Sequence, residues 1–94
     1  MQLTERVYLC GSGALGLSAK GDCHTYAIRD QQDLAMVDCG MMENPEAIIA
    51  NLKKDGLDPA RVKFILLTHA HFDHIGGCED FPYALPDKDR LLCL

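Results

Sequence analysis

The sequence has no excess of positive charge. Nine Lys and Arg stand against fourteen Asp and Glu, a net charge of −5 at pH 7 over 94 residues, and the basic residues are scattered instead of clustered. No electrostatic footprint for a polyanion follows from that balance; a small-molecule substrate is favoured, with nucleic acid not excluded. No apolar run reaches the roughly 18 residues that spanning a bilayer requires, and Met1-Gln2-Leu3-Thr4-Glu5-Arg6 lacks the basic segment and apolar stretch of a signal peptide. There is no CxxC pair either. Cys10, Cys23, Cys39, Cys78 and Cys93 are odd in number and irregular in spacing, which points to reduced thiols and away from a structural zinc or a disulfide framework. The expectation is a soluble, cytoplasmic chain with no membrane partner. Repeats, low-complexity tracts and linkers are absent, and the length excludes a second domain.

What is present begins β-rich. Arg6 to Cys10 alternates polar and apolar residues and runs into Gly11-Ser12-Gly13, a first strand ending in a glycine-rich loop. Cys23 to Ile28 and Leu34 to Val37 read as two further strands, joined as a hairpin through the short polar Arg29-Asp30-Gln31-Gln32-Asp33. Asn44 reads as an N-cap: Pro45 follows at the first helical position, Glu46 lies in the first turn, and Lys53 and Lys54 precede Gly56. Ile48, Ile49 and Leu52 give that helix one apolar stripe. Val62 to Thr68 is then a strand whose run Phe64-Ile65-Leu66-Leu67 is apolar on both faces and predicts a central strand covered on both sides. Arg90-Leu91-Leu92-Cys93-Leu94 starts another apolar segment with no later strand to cover it.

Between those segments lies His69-Ala70-His71-Phe72-Asp73-His74. On extended backbone, residues two apart point the same way, so His69 and His71 can present imidazoles to one metal ion as the strand ends. Asp73 and His74 follow where the chain must turn, and can aim at a second ion nearby. Imidazole and carboxylate are ligand types that zinc takes in catalytic sites, and iron or manganese is compatible with the same set. Such ions generate a nucleophilic hydroxide at neutral pH. The end of a buried strand is also where α/β architectures place their chemistry.

Leu66-Leu67-Thr68-His69-Ala70-His71-Phe72-Asp73-His74-Ile75-Gly76-Gly77 resembles the signature of the metallo-β-lactamase fold superfamily. Val37-Asp38-Cys39-Gly40 is similar to the family's Asp-x-Gly element, and the resemblance covers residues from about 6 to 80. It implies an α/β fold, the N-terminal half of an αββα sandwich with a mixed, mainly antiparallel sheet and flanking helices. It also implies two divalent metal ions, most often zinc. His69 and His71 would bind the first and Asp73 and His74 the second, with Asp73 the candidate catalytic residue. The implied reaction is attack of a metal-bound hydroxide on an ester, thioester, amide or phosphodiester. The family completes its site with a later histidine, a bridging aspartate and a C-terminal histidine. No histidine follows His74, and Asp80, Asp87 and Asp89 stand too near the motif. Residues 1–94 therefore read as a single partial domain, with activity expected of a longer protein.

Two other readings compete. Gly11-Ser12-Gly13-Ala14-Leu15-Gly16 is a literal GxGxxG after a strand, with Asp30 or Asp33 near the acidic offset of a dinucleotide-binding βαβ unit. That unit needs a crossover helix, and Ala14 to Lys20 is short for one. The other is a non-catalytic half-fold that binds metal or a partner through an uncovered face. Asp38 is expected to orient a ligand or to hydrogen-bond the loop after its strand, His24 to be a surface or structural residue, and Cys78 a buried thiol.

Overall fold

A computed structural model describes residues 1–18, 20–38, 40, 45–68 and 91–93. Five strands form one sheet in the order β1-β2-β3-β4-β5: Val7–Gly11, Thr25–Asp30, Asp33–Val37, Val62–Leu67 and Leu91–Cys93. The first three pair antiparallel, whereas β3–β4 and β4–β5 are parallel. The sheet is thus mixed, as the resemblance implies, with its pairings divided equally between the two senses.

The expected hairpin is present, closed by only Gln31 and Gln32, since Asp30 and Asp33 are direct partners. Gln31 takes a φ of 56°, a left-handed conformation that costs a side-chain-bearing residue about 1–2 kcal/mol and is usually left to glycine. β2 starts at Thr25, two residues later than expected, because Asp22 is held in the preceding loop by the Gly13 N–H, which donates to its carbonyl at 3.1 Å.

The helix α1 spans Pro45–Lys54; Asn44, its expected cap, lies outside the described residues. Its C-terminus shows why it stops. The Leu57 N–H donates to the Leu52 carbonyl at 2.9 Å and the Gly56 N–H to that of Lys53 at 3.0 Å, with Gly56 at φ 78°. This is a Schellman closure, completed by contact between two buried leucines, Leu52 and Leu57. A 3-10 turn at Pro59–Arg61, capped by the Asp58 side chain, then leads into β4.

Register decides which face is core. Tyr8, Ala27, Met36 and Ile65 are successive cross-strand partners and all are buried, together with Ile48 and Leu52 of α1. Burying each of the two helix side chains contributes about 1.5–3 kcal/mol. The adjacent row points the other way: Ile28 pairs with Ala35 and Ala35 with Phe64, and Ile28 and Phe64 are 39% and 47% exposed. β4 is an interior strand of the sheet, as expected. α1 covers one face, and among the described residues nothing covers Phe64 on the other. The C-terminal apolar segment, Leu91–Cys93, pairs in parallel with the earlier strand β4. Among the described residues no helix is long and apolar enough to cross a membrane.

Candidate metal centre

The strand directions gather the chemistry at one end of the sheet. β1, β3 and β4 run the same way, so Gly11, Asp38 and Thr68 all fall where these strands finish, and β2 begins beside them at Thr25. Thr68 immediately precedes His69. His69, His71, Asp73 and His74 lie outside the described residues, as do Cys39 and Cys78.

Asp38 is the best-defined polar residue at this end. It is 3% exposed and adopts a φ of 60°, which Asp and Asn tolerate better than other side chains. Its N–H extends the β3–β4 ladder by donating to the Leu66 carbonyl at 2.8 Å. Its carboxylate takes both donors of one residue. The Thr68 N–H donates to Oδ1 at 2.9 Å and the Thr68 hydroxyl to Oδ2 at 2.7 Å. The expectation for Asp38 is a bond to the loop after its own strand, β3; these two bonds go to Thr68, the residue that follows β4 and precedes His69. Gly40, at φ 73°, packs against the buried Asp22: a Cβ there would come 2.9 Å from Asp22 Oδ1. Only glycine fits that approach.

The glycine-rich segment is a closed turn. The Leu17 and Ser18 N–H groups both donate to the Ser12 carbonyl, and the Gly16 N–H donates to that of Gly13. The Ser12 N–H donates to Ser18 Oγ at 2.9 Å and the Leu15 N–H to Ser12 Oγ at 3.1 Å. Asn51 of α1 pins the turn, its Nδ2 donating to the carbonyls of Cys10 and Leu17, each at 2.8 Å. The dinucleotide reading is therefore corrected on three counts. Among the described residues no helix follows the glycines, the next strand is antiparallel, and the Ser12, Leu15, Gly16, Leu17 and Ser18 N–H groups are used within the turn. Asp30 and Asp33, its candidate acidic residues, sit at the opposite end of the sheet. The glycine at 11 has a packing reason, because a Cβ would lie 3.0 Å from that of Thr25 and 3.1 Å from Ile48 Cγ1.

Two further residues at this end have structural partners. His24 is exposed, as expected of a surface residue, with its ring edge-on to Tyr26, centroids 6.4 Å apart. The Cys10 thiol donates to the Thr25 carbonyl at 3.3 Å, and burial pushes its pKa from 9.0 up to about 12. Among the described residues no three His, Cys, Asp or Glu side chains form a metal-holding group. Asn51 escaped the sequence reading. Its only signal there is a polar residue three positions after Ile48, beside the apolar stripe.

Comparison with known proteins agrees with this geometry. The model of the metallo-beta-lactamase superfamily matches residues 19–91, and the chain belongs to that family. It is 40% identical over 68 residues to a cytoplasmic hydroxyacylglutathione hydrolase of Arabidopsis thaliana, a match covering 70% of this chain and 24% of the relative. Over 76 residues it is 38% identical to the probable metallo-hydrolase YybB of Bacillus subtilis (strain 168), covering 81% and 32%. Among solved structures, BJP-1, a subclass B3 metallo-beta-lactamase of Bradyrhizobium japonicum, superposes with a TM-score of 0.71 at 32% identity, covering 86% of this chain and 28% of that one. The chain thus spans about a quarter to a third of the length of these relatives, and its sheet and helix are part of their α/β sandwich.

Proposed function

We propose that residues 1–94 are one partial domain of a metal-dependent hydrolase, and that His69, His71, Asp73 and His74 are its metal-binding segment. The observation that carries this reading is the Asp38–Thr68 clamp. In a member of this family, a buried carboxylate holds both donors of the residue just before His69, at the end of a strand flanked on both sides by others. A ligand loop needs such support at its root, because metal sites depend on the groups that orient the ligands.

The donor set fits a pair of divalent ions. Three imidazoles and one carboxylate are ligands that zinc accepts, as do iron and manganese. When bound, such ions lower the pKa of water and polarise the bond under attack. His69 and His71 are assigned to one ion and Asp73 and His74 to the other, with Asp73 also the proposed catalytic residue. Asp38 acts through Thr68 as a positioning residue. The substrate class is a small acyl compound, ester, thioester or amide, with a phosphodiester the less favoured choice in so acidic a chain. A cytoplasmic location goes with that reading.

Metal analysis tests the assignment. Purified protein is expected to carry stoichiometric metal that a His69→Ala, His71→Ala variant loses, and the longer protein to hydrolyse thioesters or lactones in a metal-dependent way. Retention of full metal by the double variant would sink the ligand assignment. A second reading has one observation in its favour. The exposure of Ile28 and Phe64 among the described residues suits a half-fold that a partner covers without catalysis. A longer protein that binds metal yet hydrolyses none of an ester, thioester, lactone and phosphodiester panel would favour it.

A further inference from the structure

At the end of the sheet away from Thr68, the hairpin turn, the segment after α1 and the 3-10 turn line a cavity of about 380 Å³ that is open to solvent, its lining including Arg29, Gln31, Leu34, Leu57, Asp58 and Arg61. That volume lies within the range of small-ligand sites. In a chain of net charge −5, the lining sets two guanidiniums against one carboxylate. The carboxylate is oriented by the 3-10 turn, Asp58 Oδ1 accepting the Ala60 N–H at 2.9 Å, and the two guanidiniums leave the lining net positive.

Both guanidiniums are held mainly by neutral groups. Arg29 Nη2 donates to the Glu5 carbonyl at 3.2 Å, and its Cζ lies 5.9 Å from the Tyr8 ring centroid. Arg61 donates through Nε to the Gln32 carbonyl at 3.4 Å and through Nη2 to Gln32 Oε1 at 3.2 Å. Asp33 Oδ1, 3.4 Å from Arg61 Nη2, is the opposing charge, but the two side chains are 58% and 42% exposed, so solvent weakens that pair. A guanidinium has five N–H donors in a rigid fork, and these bonds leave several on each arginine for a ligand. The buried Leu34 and Leu57 supply an apolar wall. Gln31, on the same lining, is the residue held at φ 56°, and backbone strain of this kind concentrates at binding sites.

We propose that this cavity binds a small organic oxyanion, a carboxylate or phosphate on a compact apolar body. Arg29 and Arg61 contact the oxyanion, and Leu34 and Leu57 pack against the body. Preorganised arginines recognise such groups by charge-assisted, often bidentate hydrogen bonds.

Titration calorimetry of the full chain with benzoate and with phenyl phosphate, at low ionic strength and with chelator present, tests this. Saturable one-to-one binding of at least one probe is expected, with a Kd on the order of 1 mM or tighter; which probe binds tells carboxylate from phosphate. Arg29→Gln and Arg61→Gln should each weaken it about tenfold or more, while the His69→Ala, His71→Ala variant binds as the wild type does. No saturable binding of either probe up to about 10 mM, binding unchanged in both glutamine variants, or binding lost with the histidines overturns the proposal. Should a glutamine variant fail to fold, amide shifts on titrating the wild type decide. Changes at Gln31, Gly56 and Asp58 support the site, and changes confined to other residues refute it.

Discussion

Replacing Asp38 tests the root of the histidine loop directly. Its carboxylate accepts two hydrogen bonds from Thr68, at 2.9 Å and 2.7 Å, and bonds to a charged group contribute about 1.5–3 kcal/mol each. Thr68 is only half-buried, so water partly replaces what is lost and the lower figure applies, about 3 kcal/mol for the pair. Alanine at φ 60° adds about 1 kcal/mol of backbone strain that aspartate largely escapes. Asp38→Ala should therefore cost about 4 kcal/mol, a large fraction of the roughly 5–14 kcal/mol expected for a chain this long. Asp38→Asn differs sharply. Asparagine tolerates the same φ, its carbonyl can take the Thr68 N–H, and its amide can donate to the Thr68 hydroxyl, so only charge is lost, at about 1 kcal/mol. Urea unfolding of both variants, with Thr68→Val and the Asp38→Ala, Thr68→Val double variant to close the cycle, measures each of these. A coupling energy of at least about 1 kcal/mol is expected between Asp38 and Thr68. Additive costs, or Asp38→Ala and Asp38→Asn within about 1 kcal/mol of each other, would refute the clamp. If the loop also binds metal, Asp38→Ala should lower metal affinity about 10- to 100-fold, and Asp38→Asn much less.

Cys10 makes stability pH-dependent on the alkaline side. Its thiol is neutral in the fold up to about pH 12 but ionises near 9.0 when exposed, so the unfolded state binds fewer protons between those values. Its contribution is complete below pH 9 and falls through that window by up to about 1.4 kcal/mol per pH unit; Cys10→Ala should flatten the decline in unfolding midpoint measured from pH 8 to 11. Gln31→Gly should relieve the positive φ of the hairpin turn, gaining about 0.5–1 kcal/mol net of the entropy that glycine adds to the unfolded chain. Calorimetry would register that as a rise of a few degrees, and a fall in Tm would mean that Gln31 has compensating contacts. Asn51→Leu removes both bonds from α1 to the glycine-rich turn, at about 1–2 kcal/mol. Hydrogen exchange should speed up at Leu15, Gly16, Leu17 and Ser18 and stay unchanged at Ala27 and Met36.

The parts that could be read from sequence are those whose physics is local. Pro45, the terminal lysines and Gly56 bracket α1 because capping and Schellman closure act within a few residues, and Leu52–Leu57 is part of that closure. The hairpin position follows from a short polar interval, but its turn geometry does not. Gln31-Gln32 carries no glycine to announce a positive φ. Non-local pairing is where sequence reading fell short. Phe64-Ile65-Leu66-Leu67 reports an appetite for cover without saying what supplies it, and α1 reaches only the Ile65 side. Leu91–Cys93 finds β4 across a long crossover that no pattern in either segment specifies.

The two motifs of the chain separate on the same ground. GxGxxG identifies a phosphate cradle only when its backbone N–H groups remain available, and a tight turn with Ser12 and Ser18 at hand consumes them: the Ser12, Leu15, Leu17 and Ser18 donors are all satisfied internally. The letters match while the physical requirement fails. The histidine motif makes a different demand: under the assignment proposed above its donors are side chains, and the backbone has to hold the start of the segment. Asp38 and Thr68 do that with bonds that are themselves legible in the Asp-x-Gly element only once β3 and β4 are known to be neighbours.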